Sequence, residues 1–197
     1  MGKQFGTMTN LFQDKNIAEY LLTEDKSLID IVLQNVKPKK VITSKYKGKI
    51  FQWEPKVNDF FSLKYKWVIL IKENLNSPTL GAVKDILTTV YDIRTDQQFM
   101  SCSVFDVFAA YAWIVEEVEG IYEVEKEKLF KKPTNKQKAA GIEEFEQLDN
   151  IPTIDALANG NILEWDKILE LPYGQVLRKM LLNKIQNEYN ERYSKLK

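Results

Sequence analysis

Histidine is missing altogether from this 197-residue chain. Its absence removes Ser-His-Asp and Cys-His catalytic arrangements and every zinc site built on imidazole. A single cysteine, Cys102, excludes an intramolecular disulfide and a cysteine-based metal cluster within one chain. With no histidine to activate it, Cys102 reads as a small buried residue near a helix start. The eight glycines never form GxG, and no GxxxxGK occurs, so the common phosphate-cradling loops are missing. No stretch reaches the roughly 18 continuous apolar residues of a membrane span. The segment MGKQFGTMTN has no apolar signal core, and Gly6 stands where a myristoylation signal needs Ser or Thr, so the expectation is a cytosolic protein. Neither sign of charge is in excess, with 28 basic and 28 acidic residues, which argues against a protein that coats nucleic acid.

What is present is apolar and helical in pattern. A hydrophobic content of 44% and an aromatic content of 12% belong to a folded chain with a core of its own. The neutral balance hides an asymmetry: residues 1–75 hold thirteen lysines against eight acids, concentrated at Lys37, Lys39, Lys40, Lys45, Lys47 and Lys49. The counterweight runs from Asp106 to Glu127. Such runs are ordinarily solvated faces, and they can also pair within the fold or meet partners of opposite sign.

Asp25 or Ser27 can cap a helix over Leu28–Val36, which Pro38 ends. KVITSKYKGKIFQWEP then changes period, and Lys47-Gly48 supplies a tight reversal between Val41–Tyr46 and Lys49–Trp53, a β-hairpin. Alternation places its lysines toward solvent and Tyr46, Phe51 and Trp53 inward. Phe60–Leu75 is too densely apolar for a one-sided helix, and a helix is preferred over a third strand because Ser62 can cap it. Ser77-Pro78 opens a helix from Thr79 to about Asp92. The longest helix begins at Ser103 and runs to about Phe130, with Phe105, Phe108, Ala112, Val115 and Tyr122 as its apolar face. Thr134–Leu148 reads as a polar helix anchored by Ile142 and Phe145. The expected fold class is mainly α, a helical domain with a small β-hairpin near residues 41–53. Its expected organisation is 1–132 as that domain and 133–197 as a helical module packed on it, the two forming one globular unit.

No catalytic, cofactor or metal residues emerge. Glu116, Glu119 and Glu123 lie one helical turn apart but lack a second ligand cluster, so they read as a solvated face, as do Glu143, Glu144 and Glu146. The lysine-rich hairpin with interleaved aromatics has the composition of a stacking platform for nucleic acid, although inward packing of the rings explains it as well.

Toward the C-terminus, Thr153 can cap Ile154–Ala158, Asn159-Gly160 supplies a left-handed stop, and Asn161 caps Ile162–Leu169. Ile162, Trp165, Ile168 and Leu169 share a face there. Pro172 fits the first turn of a final helix from Leu171 to about Ser194. Leu177, Leu181, Ile185, Tyr189 and Tyr193 form an i,i+4 row with Val176 and Met180 beside it, read as core in its aliphatic part. The polar end, QNEYNERYSKLK, either frays or docks Tyr189, Tyr193 and Leu196 on another chain.

The succession PTIDALANGNILEWDKILELPYGQVLRKMLLNKIQNEY resembles the C-terminal region of small tailed-bacteriophage morphogenesis proteins, in which a capped helix, a Trp and a Leu-Pro-Tyr junction lead into a last helix. The upstream order of a KGK hairpin, a helical pair and an acid-rich helix ending in EKEKL is also similar. Asn161 stands where such sequences often carry Asp, a swap between capping residues. The resemblance implies a non-enzymatic phage assembly protein, most simply a tail assembly chaperone, with a structural virion component (head–tail connector, neck or baseplate protein) as the alternative. An accessory nucleic-acid-binding protein acting through the hairpin is a third reading. Partners would be other phage structural or tail proteins, with a homo-oligomer left open, in the host cytoplasm during assembly or in the virion. The expected partner-binding residues are Trp165, Tyr173, Tyr189, Tyr193 and Leu196.

Overall fold

The computed structural model describes residues 15–23, 36–76 and 79–196. The helix expected over Leu28–Val36, apart from its last residue, and the Ser77-Pro78 opening lie outside the described residues. The architecture is mainly α with one two-stranded antiparallel hairpin. Helices α1 (Ile17–Leu22), α2 (Tyr65–Leu75), α3 (Leu80–Val90), α4 (Asp96–Met100), α5 (Val104–Lys128), α6 (Asn135–Ala139), α7 (Ile151–Leu157), α8 (Trp165–Glu170) and α9 (Tyr173–Ser194) are joined by 3-10 turns at Phe60–Ser62, Ile142–Leu148 and Ile162–Glu164. Strands β1 (Ile42–Tyr46) and β2 (Lys49–Trp53) lie between α1 and α2.

The chain divides into two compact units: Met1–Asn58 with Glu73–Val118, and Asp59–Lys72 with Glu119–Lys197. This division differs from the single cut after residue 132 that the sequence suggests. The reason lies in backbone pairing, because Asp59–Lys72 is stitched to the C-terminal helices. The Tyr65 N–H donates to the Leu171 carbonyl at 2.8 Å, and the Tyr173 N–H to the Leu63 carbonyl at 2.7 Å.

In the first unit, Lys47 and Gly48 both adopt positive φ (49° and 74°), the left-handed pair that a two-residue hairpin turn requires. The register pairs Tyr46 with Lys49 and Ile42 with Trp53. The other edge of β1 is covered as well: the Ser103 N–H donates to the Thr43 carbonyl and the Lys45 N–H to the Ser101 carbonyl. Among the described residues that leaves β2 as the free edge, and the inward packing expected of its aromatics is corrected accordingly. Phe51 is exposed and stacks on half-exposed Trp53 at 6.3 Å, while Ile42 and Ser44 of β1 are buried. The Trp53 Nε1–H donates to the Ser44 hydroxyl. Asp106 takes the Lys39 ammonium and the Thr43 N–H on its two oxygens, both at 2.8 Å, so part of the basic run is neutralised within this unit. Cys102 is buried, and burial pushes its thiol up to about 12, well out of reactive range.

Helix α5 begins where expected, with the Ser103 hydroxyl accepting from the Asp106 N–H. Phe105 is buried as expected, but the rest of its buried face is a different one. Val107, Ala110, Ile114, Val118 and Ile121 are sequestered, whereas Phe108, Ala112 and Val115 are half-buried and Tyr122 is exposed. Its first half also buries Ala109 and Trp113, so apolar residues surround the helix there and periodicity alone could not select a face.

The second unit buries Phe60, Leu63, Tyr65, Val68, Ile71, Ile121, Ile154, Leu157, Tyr173, Val176 and Leu177. The continuous helix expected over Thr134–Leu148 is instead broken. Gly141 takes φ 79°, a conformation that ends α6 and opens the 3-10 turn, and Phe145 is left exposed. Thr153 lies inside α7 rather than capping it, since the helix starts at Ile151 with Pro152 in its first turn. The stop at Asn159-Gly160 has the expected positive φ values of 54° and 77°. The Asn161 side chain caps the following turn by accepting from the Leu163 N–H at 3.1 Å.

Candidate functional site

The second unit presents one long helix, α9, whose two ends have opposite environments. At its start the chain must bend sharply, and Pro172 supplies the extended residue before Tyr173. Gly174 fits there because a Cβ would sit 3.2 Å from the Phe61 carbonyl oxygen. The Tyr173 ring is fully buried, 5.8 Å from Phe61 and 6.1 Å from Tyr65 between centroids. Its hydroxyl donates to Glu125 at 2.5 Å, and the Lys72 ammonium donates to both oxygens of the same carboxylate at 2.7 and 2.8 Å. Lys72 also lies 4.6 Å from the centroid of the Tyr122 ring, a cation–π contact.

This knot is structural in its chemistry. Burial, reinforced by the Glu125 charge, pushes the Tyr65 phenol up to about 12 and the Tyr173 phenol further still. Neither phenol releases a proton near neutrality, and the Tyr173 hydroxyl serves as a donor to Glu125. The expectation that Tyr173 contacts a partner is therefore corrected: its ring is core, and its hydroxyl is spent on Glu125. Two adjoining clefts of about 530 and 580 Å³ lie beside α9 and share Leu129, Lys131, Thr153 and Met180. Among the described residues no group of three or more Cys, Asp or Glu side chains could hold a metal ion.

The other expected contact residues fall differently. Trp165 is half-buried and donates its Nε1–H to Asp155, which braces α8 against the end of α7. Tyr189, Tyr193 and Leu196 are exposed by 52%, 51% and 85%. The two tyrosine rings stack on each other at 6.0 Å with a 16° interplanar angle.

Two further residues belong with them. Leu182 and Ile185 are 56% and 60% exposed, although the i,i+4 row placed Ile185 in the core. The reason is geometric. Residues about 100° apart around the axis put an i,i+4 step about 40° past a full turn, so four such steps rotate the row by about 160°. The row from Leu177 to Tyr193 accordingly starts buried, is half-buried at Leu181, and reaches solvent at Ile185. What sequence reading took for one face is a path from core to surface. The straight stripe is Leu182, Ile185, Tyr189 and Tyr193, spaced three and four residues apart and about 17 Å long, with Leu196 just past the helix end.

No helix among the described residues is long and apolar enough to cross a membrane. Comparison of the chain with protein-family models, curated proteins and solved structures finds no match.

Proposed function

We propose that this chain is a non-enzymatic phage assembly protein acting through protein–protein contact, most simply a tail assembly chaperone. The observation that carries the reading is the solvent-facing apolar stripe from Leu182 to Tyr193 on a helix whose other end is anchored in a core. Supporting it is the resemblance of residues 152–189 to phage tail-cluster proteins. A chaperone needs a surface that shields the apolar helical segment of a client, and releases it, without a stable core of its own being disturbed. The stripe suits that task because it adds little to the packing of its unit.

The test is to tag the protein in cells producing the phage and compare two samples by mass spectrometry. The reading expects a tail protein to co-purify from the lysate and no stoichiometric copy of this chain in purified virions. Its presence in virions at ring-like stoichiometry would replace the chaperone with a connector or baseplate component.

A second reading, nucleic-acid contact through the hairpin, is favoured by one observation. Phe51 is exposed on the free edge strand, with Lys45, Lys47 and Lys49 exposed around it. Failure to bind oligothymidine at low salt removes that reading.

A further inference from the structure

The stripe on α9 is a narrow one. On a helical projection its four helical residues occupy an arc of about 80°, the width of a coiled-coil seam rather than of a face that packs into a globular core. The exposed charges nearest it are basic, two of them one turn before Leu182 and one beside Tyr189. Over the half of the circumference centred on the stripe stand Arg178, Lys179 and Arg192, all exposed, and no acid. No ion pair or side-chain hydrogen bond engages any of the three among the described residues. The acids of the helix lie elsewhere. Glu191 is held by Lys131 at 3.0 Å, and Glu188 lines a cleft on the packed side.

From this arrangement we infer that the α9 stripe receives a single amphipathic helix of a partner protein whose apolar seam is flanked by Asp and Glu. The inference rests on the docking role proposed above and gives the partner's chemistry. A seam of aliphatic and aromatic knobs at three- and four-residue spacing matches the i, i+3, i+4, i+7 anchors of a helix laid alongside it. A second copy of this chain is a poor occupant, because pairing stripe with stripe brings Arg178, Lys179 and Arg192 only against cations or apolar groups. Acidic flanks on a partner would instead meet all three. Such a rim sets orientation and partner choice, while the buried seam supplies the affinity. A single-stranded nucleic acid would use the tyrosines and arginines but leave Leu182, Ile185 and Leu196 without complementary groups.

The experiment uses the full chain and two fluorescein-labelled synthetic helices of about twenty residues, enough to span the stripe. Both carry leucine at the seam positions; one has glutamate at every flanking position and the other lysine. Fluorescence anisotropy at low salt is expected to show the glutamate helix binding at least tenfold more tightly, with the advantage shrinking as salt rises. Leu182→Ser with Ile185→Ser is expected to abolish binding. Arg178→Glu with Arg192→Glu should reverse the preference toward the lysine helix. Equal affinity for the two helices, or no binding of either at about 1 mM, overturns the inference. So does tighter binding to oligothymidine or to anionic phosphatidylglycerol vesicles than to the glutamate helix. Capture of a tail protein from phage-producing cells together with a failed peptide titration would leave the assembly role standing and remove only this surface from it.

Discussion

The two halves of α9 share one helix, yet their surroundings differ. In the first half, Tyr173, Val176 and Leu177 are buried, and the Tyr173 hydroxyl closes a network with Glu125 and Lys72. In the second half, Ile185, Tyr189 and Tyr193 are exposed, and the two tyrosine rings stack on each other. The same residue type, tyrosine, is thus a buried cornerstone at one end and a half-exposed surface ring at the other. A ring's identity says little about its role; its angular position relative to the packed face decides it.

That comparison can be broken most forcefully at Tyr173. Tyr173→Ala empties a fully enclosed site and strips a donor from Glu125, so a loss of about 3–5 kcal/mol is expected in denaturant titration. A cost below about 1 kcal/mol would erase the distinction between the two halves. Next in size is the response to alkali. The folded state holds the Tyr65 proton up to about 12 against an ordinary value of 10.0, so the folded chain binds that proton more tightly than the unfolded one. The associated stability is fully present below pH 10 and is lost as pH rises toward 12. Equilibrium unfolding measured across this window should show a steady decline, and Tyr65→Phe should lessen it. A smaller effect is expected for Tyr173→Phe, which keeps the ring and removes one hydrogen bond to a carboxylate that Lys72 still partners. A cost of roughly 1–2 kcal/mol by thermal or chemical unfolding fits this account.

Much of this fold was legible in the sequence, and the parts that were not have a common cause. Lys47-Gly48, Asn159-Gly160 and the Asn161 cap are local signals, where a few residues dictate backbone geometry, and each appears as read. Burial of Cys102 followed from its surroundings in the same way. Gly141 was harder, because a glycine within a polar stretch is tolerated in a helix until its φ is known. The apolar face of α5 and the fate of the α9 row depend on which elements surround each helix, and no window of sequence contains that. The row also carried its own warning, since a strict i,i+4 series winds around a helix instead of following its axis. A stripe that follows the axis takes Leu182 in place of Leu181, and the angular positions of these residues are contained in the sequence. Phe51 escaped for a related reason: alternation assigns a residue to a face of the hairpin but does not reveal that β2 is the free edge.

The central claim is that the far half of α9 belongs to a partner and not to the fold. Its most direct test is the thermal midpoint of the full chain carrying Tyr189→Ala together with Tyr193→Ala. Two half-exposed rings give up little buried area and alanine favours the helix, so the net loss should stay below about 1 kcal/mol and the midpoint within roughly 2–4 °C of the parent. A fall of about 10 °C or more would mean that the two rings hold the unit together, and the account of an open docking surface would be wrong.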